Sequence, residues 1–291
     1  MDFASGAQLI ELCRKENISI GRAMLLRECA QTEASEEEVR ERMRSALRIM
    51  RESAMRPQET PVRSVGGLIG GEARDLAGQK DPLCGSLLHD AMTMAAAVLE
   101  VNASMGVIVA APTAGSAGVV PGVLLSMEKH RGLSEEDLLE GLFAAGAVGY
   151  LLMRLASVSG AEAGCQAEVG SAAAMAAAAA VCLCGGSPKM SLDAASFALG
   201  NLLGLVCDPI AGLVERPCQS RNVLGVADAL TAADLVLAGV RPAVPFDEMA
   251  QAMQKVGRAL PVSLRETAKG GCAATPSGKR LKEIIFGCGR P

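Results

Sequence analysis

The sequence EVGSAAAMAAAAAVCLCGGSPK, residues 168–189, decides the fold class. Between Glu168 and Lys189 it holds 20 residues without a formal charge, and eight of the ten residues 171–180 are alanine. Alanine has the highest helix propensity, and a helix that is apolar on every side is either a membrane span or the buried centre of a helical protein. Because the stretch contains little Leu, Ile or Phe and has no flanking aromatic belt, we predict the central helix of a large soluble protein.

A second uncharged stretch, the 27 residues between Glu100 and Glu128, is also long enough to cross a membrane. Pro112, Pro121 and several glycines interrupt it. Such breaks argue against a membrane span, so the sequence predicts no membrane association.

The overall composition points to an all-α fold with closely packed helices. The 291 residues include 32 Gly and 49 Ala but only five Phe, one Tyr and no Trp. Sheets draw on aromatic and β-branched residues, and no run of strand-like alternation is long enough to build one. We therefore predict an all-α domain with a central Ala-rich buried helix and glycine- and proline-rich loops.

Residues 1–60 are densely charged, and we predict that they form a helical lobe docked on a core of residues 61–291. The residues 1–291 would then form a single domain. Ser35 and Glu38 form a capping box that predicts a helix start, as do Ser134 and Asp137. We expect residues 57–82 to form a loop region, and further helices at 138–155, 191–206, 221–239, 246–258 and 278–286.

Charge and cysteine content exclude several classes of function. Twenty-eight basic against 32 acidic residues leave no electrostatic footprint for nucleic acid. Residues 1–20 lack the pattern of a secretory signal, so we expect a reducing, cytoplasmic setting for the ten cysteines. His89 and His130 are the sole histidines, which excludes a His-rich zinc site.

The first segment that looks unlike core packing is APTAGSAGVVPG, residues 111–122. Its Gly and Pro residues interrupt an apolar run, which frees backbone amides for a carboxylate or phosphate beside the hydroxyls of Thr113 and Ser116. A buried turn between two helices is the alternative.

The second segment, GAEAGCQAEVG at 160–170, opens the alanine helix. Cys165, Gln166 and Glu168 would lie near a helix N-terminus, where the helix dipole favours a thiolate and lowers its pKa. Cys165 and Glu168 are three residues apart and so share a helix face.

The third segment brackets two prolines between Cys207 and Cys218, and Arg221-Asn222 follows. Rigid, irregular backbone of this kind can hold the thiolates of a metal cluster. Separations of 42 and 11 residues from Cys165 to Cys207 and from Cys207 to Cys218 match no ferredoxin or zinc-ribbon spacing, so spacing alone leaves metal binding open.

The remaining segments are less specific. Residues 265–276 form a polar, glycine-broken stretch that could be a lid or an ordinary connection. Cys182 suits packing in the alanine helix. Cys288 is either a fourth cluster ligand or an incidental cysteine of the tail.

Together these segments resemble the alpha chain of the iron–sulfur-dependent bacterial L-serine dehydratases. The resemblance covers essentially the whole chain, and its four ordered motifs are APTAGSAGVVPG (111–122), GCQAEVGSAAAMAAAA (164–179), LGLVCDPIAGLVE-x-PC (203–218) with RN (221–222), and LRET-x-x-GG-x-AATP-x-G (264–278).

The resemblance implies a 4Fe–4S cluster with Cys165, Cys207 and Cys218 each ligating one iron. The fourth, open iron would act as a Lewis acid for L-serine, which loses water and yields pyruvate and ammonia. It also implies a beta chain as partner, and it suggests Asp208, Arg221 and Asn222 as groups that position the cluster.

For the reaction itself, Glu168 is the candidate for the base or an orienting group, with Thr113 and Ser116 as further catalytic candidates. The substrate would contact the loop amides and side chains close to them. The substrate-binding candidates are Thr113, Gly115, Ser116, Gln166 and Asn222.

Three alternatives stay open at this point. A pyridoxal-phosphate enzyme needs a Schiff-base lysine, yet no lysine lies in 111–122 and the nearest is Lys129. Desulfuration of L-cysteine would give the same aminoacrylate product. A non-catalytic chain of a two-subunit complex is the third, since the family divides its enzyme between two chains.

Overall fold

The computed structural model describes residues 2–287, and within them the secondary structure is helical without any strand. The predicted all-α class is therefore confirmed. The helices are α1 (Gly6–Glu16), α2 (Ile20–Thr32), α3 (Glu36–Glu59), α4 (Glu72–Ala77), α5 (Gly85–Ala103), α6 (Val119–Arg131), α7 (Glu135–Leu155), α8 (Gly160–Ala163), α9 (Ser171–Leu183), α10 (Pro188–Asn201), α11 (Cys218–Leu237), α12 (Phe246–Ala259), α13 (Gly271–Ala274) and α14 (Pro276–Phe286).

The alanine helix α9 forms the centre of the molecule, as predicted. Every residue from Ser171 to Val181 is buried. Helices α6, α7, α10 and α11 surround it. Small side chains let these neighbours approach closely: a Cβ on Gly149 of α7 would lie 3.0 Å from the Met175 methyl carbon of α9.

Two helical stretches are long and apolar enough to cross a membrane, Glu135–Leu155 and Gln166–Leu183. Their most apolar windows are 67% and 83% buried inside the protein, as expected of core helices. The uncharged stretch 101–127, by contrast, is not one helix. It divides into the end of α5, an irregular segment, a short 3₁₀ turn (Ala114–Ser116) and the start of α6.

Both predicted capping boxes are present, at the starts of α3 and α7. The apolar stripe of α3 faces inward, with Val39, Leu47 and Met50 buried. This face packs on α5, while α2 packs on α7.

The structure differs from the sequence prediction at three places. The loop expected at 57–82 contains the short helix α4, whose six residues are too few for a periodic apolar pattern, and its first three residues belong to α3. The helix expected at 191–206 spans Pro188–Asn201, because Ser187 caps its start. The helix expected from residue 160 is split into α8, a π-helical turn (Gln166–Gly170) and α9.

Candidate active site

Three cysteines from separate parts of the chain meet beside the start of the central helix. Cys165 precedes the π-helical turn, Cys207 lies in the loop after α10, and Cys218 is the first residue of α11. All three side chains are buried. Burial is the largest cause of the raised pKa of Cys207 and of Cys218, and a charge on the neighbouring Cys165 thiol raises both further.

Burial dominates the protonation of these thiols. It raises the pKa of Cys165 and of Cys218 to about 12, and that of Cys207 further still. The expectation that the helix dipole lowers the pKa of Cys165 is therefore wrong, because desolvation outweighs a partial charge at a helix end. A bound metal would restore the thiolates, since its positive charge stabilises them.

Glu168 lies at the centre of the same site. Thr113 donates a hydrogen bond of 2.9 Å from its hydroxyl to Glu168 Oε1, and the hydroxyls of Thr113 and Ser116 are 3.1 Å apart. The Cys207 sulfur lies 3.8 Å from Glu168 Oε2. The structure thus brings the 111–122 loop, the start of the alanine helix and the cysteine loop together at one carboxyl group.

The protonation of Glu168 reflects two opposed effects. Burial raises its pKa, and the hydrogen bond from Thr113 lowers it. The result is a raised pKa, because loss of water contacts disfavours the charged carboxylate more than the hydrogen bond stabilises it.

Backbone without side chains lines this carboxyl group. A Cβ on Gly160 would lie 2.5 Å from Glu168 Oε2 and 3.2 Å from the Cys207 sulfur. A Cβ on Gly115 would lie 3.0 Å from Glu168 Oε1. A side chain at Gly160 would displace the Glu168 carboxyl group, and one at Gly115 would crowd it.

The loop amides are only partly available to a ligand. Ser116 and Ala117 donate to carbonyl groups of their own turn, and the Gly118 amide donates to Asn222 Oδ1 at 3.0 Å. Among the described residues, the amides of Thr113, Ala114 and Gly115 have no acceptor. The loop therefore offers the amides of residues 113–115, whereas the 3₁₀ turn takes up those of Ser116 and Ala117 and Asn222 takes up that of Gly118.

Asn222 and Gln166 bind backbone groups on several segments. Asn222 Nδ2 donates to the carbonyls of Gly115 at 2.8 Å and Cys218 at 2.9 Å. This geometry gives Asn222 a positioning role, because it ties the hydroxyl-bearing loop to Cys218.

Gln166, next to Cys165, joins its own segment to α12 and to the segment that leads to Cys207. Its amide donates to the Met253 carbonyl at 3.1 Å, and its Oε1 accepts from the Gly204 amide at 2.9 Å. The predicted contacts of Asn222 and Gln166 with substrate stay predictions, as does that of Gly115.

The late segment 264–272 belongs to the site. Cys207 donates its amide to the Leu264 carbonyl at 2.9 Å and accepts from the Glu266 amide at 2.7 Å, which forms an isolated parallel bridge. Asp208 accepts from the Cys272 amide at 2.6 Å and pairs with Arg221 at 2.7 Å. Asp208 therefore ties the residue after Cys207 both to the late segment and to Arg221. The sequence alone leaves open whether the late segment is a lid or an ordinary connection.

Sequence reasoning missed one buried carboxylate next to Cys218. Glu215 accepts hydrogen bonds from the Ser64 hydroxyl at 2.7 Å and from the amides of Gly66 at 2.7 Å and Leu68 at 2.9 Å. It thereby fixes the glycine-rich loop 61–71 against the cysteine loop. The signal that could have found it is a glutamate directly after the apolar run 210–214.

Within residues 2–287, no three His, Cys, Asp or Glu side chains are arranged as ligands of a single metal ion. Cys288, the candidate fourth ligand, lies outside the described residues.

Comparison with known proteins agrees with the resemblance. The model of the family described as serine dehydratase alpha chain matches residues 15–273. The chain is 46% identical over 288 residues to a probable L-serine dehydratase alpha chain of Bacillus subtilis, covering 98% of this chain and 96% of that protein.

Two further relatives are similar to nearly the whole of this chain, one over almost its own full length and the other over only part of its length. An L-serine dehydratase alpha chain of Peptoniphilus asaccharolyticus is 41% identical over 94% of this chain and 95% of its own length. An L-serine dehydratase of Streptomyces coelicolor is 39% identical over 93% of this chain, but the match covers only 60% of that protein.

Proposed function

The chain belongs to the serine dehydratase alpha chain family, and from that premise we propose that it converts L-serine to pyruvate and ammonia. The observation that carries this proposal is that the Thr113 hydroxyl and the Cys207 thiol both lie next to the buried carboxyl group of Glu168. A hydroxyl donor, a proton acceptor and a metal-ligating thiol within one small site suit the removal of water from a hydroxy amino acid.

The loop 113–116 would bind the substrate carboxylate. The amides of Thr113, Ala114 and Gly115 have no acceptor among the described residues, and backbone amides at a turn suit an anionic oxygen. The Ser116 hydroxyl lies within hydrogen-bond distance of Thr113 and would hold it in place. Absence of side chains at Gly115 and Gly160 leaves the space next to the Glu168 carboxyl group free for a small substrate.

Glu168 would take the α-proton of the substrate. Its raised pKa lets it hold that proton, and the hydrogen bond from Thr113 fixes one oxygen so that the other faces the cysteine loop. Loss of the α-proton and of the β-hydroxyl as water gives aminoacrylate, whose imine form is hydrolysed to pyruvate and ammonia.

A 4Fe–4S cluster is the cofactor that we propose for Cys165, Cys207 and Cys218. The donor set fits: three buried thiols lie in a loop or at the start of a helical element, and in a cluster each thiolate ligates a different iron, so they need not meet at one ion. When bound, the cluster supplies an iron without a protein thiolate, which can act as a Lewis acid on the substrate hydroxyl.

We further propose that the enzyme is assembled from this chain and a beta chain, in a reducing, cytoplasmic setting. The relatives of equal length are named as alpha chains, which supports a second chain. The nine cysteines among the described residues are free thiols, which suits a reducing compartment.

Anaerobic purification tests the proposal. We expect brown protein that contains iron and sulfide, bleaches in air and forms pyruvate from L-serine. Colourless, iron-free protein from iron-replete anaerobic expression would overturn the cofactor. Sulfide released from L-cysteine with no ammonia from L-serine would instead assign the desulfuration reaction.

Single cysteine variants test the proposed ligands. We expect Cys165→Ser, Cys207→Ser and Cys218→Ser to lose activity and visible absorbance together, because a serine hydroxyl is a poor ligand for iron. Cys182→Ser is the matched control and should keep both. If Cys182→Ser is as inactive as the other three, the division of the cysteines is wrong.

A further inference from the structure

Glu215 lies three residues before Cys218 and is only 2% exposed. Its carboxylate accepts hydrogen bonds from one hydroxyl and two backbone amides of the glycine-rich loop 61–71, and no cation among the described residues forms an ion pair with it. Burial of a carboxylate is costly unless hydrogen-bond donors replace the lost water. Because hydrogen bonds to a charged acceptor are stronger than neutral ones, the three donors hold Glu215 firmly against the loop.

The backbone of Glu215 closes the turn that carries Cys218. Its carbonyl accepts from the Gln219 amide at 2.9 Å, at the first turn of α11. The side chain of Glu215 is thus fixed by the loop 61–71, while its main chain is bonded to the residue next to Cys218. A shift of the carboxylate would therefore shift the turn as well.

Arg216 ties the same turn to the same part of the chain. Its guanidinium pairs with Glu72 of α4, and its Nε donates to the Leu68 carbonyl at 3.5 Å. The Arg216 carbonyl in turn accepts from the Ile210 amide at 2.9 Å. Two consecutive residues shortly before Cys218 are therefore held by the segment 61–72.

The loop and the turn approach each other so closely that a side chain has no room between them. A Cβ on Gly66 would lie 2.8 Å from Glu215 Oε1 and would also meet the Leu213 side chain. Cys207, by contrast, is bonded to the backbone of residues 264–266. The two cysteines are thus supported by different segments, and the support of Cys218 comes from a part of the chain about 150 residues earlier.

We infer that Glu215 is a positioning residue for Cys218, through which the loop 61–71 sets how firmly that cysteine holds iron. The inference rests on the proposed function, because it takes Cys218 as a ligand of the cluster. It adds a coupling between two places, and such coupling is reciprocal. Iron that fixes Cys218 therefore also has to steady the loop, and the amides of Gly66 and Leu68, which donate to Glu215, report that effect.

Release of iron to a chelator under anaerobic conditions tests the positioning role. A Gln side chain cannot accept at its amide nitrogen, so Glu215→Gln leaves at least one of the three donors without an acceptor. We expect this variant to lose iron about ten-fold faster than the unaltered protein, as for a lost hydrogen bond to a charged group. If Glu215→Gln does not fold, Ser64→Ala, which removes a single donor, should still release iron faster than the control variant.

Glu140→Gln is that matched control. Glu140 likewise accepts from a hydroxyl and a backbone amide of a distant segment, those of Ser19 and Arg22, but it lies next to Cys182 at the far end of α9. Glu140→Gln should lower the melting temperature by a similar amount and release iron at the normal rate. Equal release rates from Glu140→Gln and the variants of the loop contact would overturn the inference.

Hydrogen–deuterium exchange tests the reciprocal effect without turnover. We expect the amides of Gly66 and Leu68 to exchange about ten-fold more slowly in iron-loaded than in metal-free protein, and Glu215→Gln to abolish that difference. Exchange that loading leaves unchanged in the unaltered protein would overturn the inference. A protein that binds iron but forms no pyruvate from L-serine would contradict the proposed function, and the release and exchange rates would still decide the role of Glu215.

Discussion

Glu168 contacts both the loop that carries Thr113 and the loop that carries Cys207. Its replacement by Gln tests whether it takes part in proton transfer or only holds these loops in place. Glu168→Gln keeps an oxygen that can accept from Thr113, but it cannot take a proton at neutral pH. We expect kcat for pyruvate formation to fall by about 100-fold or more, the usual worth of a general base. Iron content and visible absorbance should stay those of the unaltered enzyme.

Thr113 supplies the control for that variant. Thr113→Ser retains the hydroxyl that donates to Glu168 Oε1 and should keep most of the activity. Thr113→Val removes the donor and should lower kcat. If Glu168→Gln turns over serine at the normal rate, the proton acceptor lies elsewhere and Glu168 only positions the loop.

At the scale of secondary-structure elements, α12 supports the first cysteine through a glycine contact. A Cβ on Gly257 would lie 2.7 Å from Ala163 Cα, so α12 and α8 touch backbone to backbone directly before Cys165. Gly257→Ala should therefore destabilise the fold by about 1–3 kcal/mol and lower iron occupancy, because α8 has to move. Chemical denaturation and iron analysis measure the two effects.

Gly78 provides the matched substitution for Gly257. It has an ordinary helical conformation, and a Cβ there would meet no atom closer than 3.5 Å. Gly78→Ala should leave stability unchanged or slightly raised. Equal behaviour of the two variants would show that the α12–α8 contact is not tight.

The contact between α10 and α11 predicts a pH effect on stability. Burial raises the pKa of Asp228 from 3.8 to about 6, although Asn201 donates a hydrogen bond of 2.7 Å to it. Between pH 4 and 6 the folded chain binds more protons at this group than the unfolded chain, so this contribution to stability falls as pH rises through that range. Above pH 6 Asp228 is charged in the folded chain as well, and the full cost of burying that charge lowers the free energy of unfolding.

Asp228→Asn removes that cost and keeps an oxygen for Asn201. We expect the free energy of unfolding to rise by about 1–3 kcal/mol at pH 7, with the gain fading as pH falls toward 4. The exposed Asp81, replaced by Asn in the same way, should change stability by less than about 0.5 kcal/mol. Urea titrations at several pH values make the comparison, and a gain that is constant with pH would contradict the assigned cause.

The elements that sequence predicted correctly are those whose signals are local. The alanine run of α9 and the capping boxes of α3 and α7 each specify a helix within a few residues. Contacts between segments that lie far apart in the sequence have no such local signal. Nothing in the letters around Thr113 indicates that its hydroxyl reaches Glu168, 55 residues later, or that the Leu264–Glu266 backbone pairs with Cys207. The site was therefore predictable as a set of segments, and its geometry was not.

At the scale of the whole molecule, the charged N-terminal lobe is anchored to two different parts of the core. Ser19 and the Arg22 amide both donate to the Glu140 carboxylate of α7. On the other side, the Gly6 amide donates to Asp247 Oδ1 of α12 at 2.7 Å. A lobe that is held on α7 and α12 together should not unfold separately from the core.

The chain's sole tyrosine makes this prediction measurable. Tyr150 on α7 contacts the lobe through the Phe3 ring at 5.5 Å and the Arg27 guanidinium at 3.8 Å, so its fluorescence reports lobe docking. Far-ultraviolet circular dichroism reports all the helices. We expect the two probes to give the same unfolding midpoint, and Ser19→Ala, which removes a helix cap and the bond to Glu140, to lower both equally. A tyrosine transition that precedes the loss of helix would mean that residues 1–60 undock as a unit, and the single-domain organisation would then be wrong.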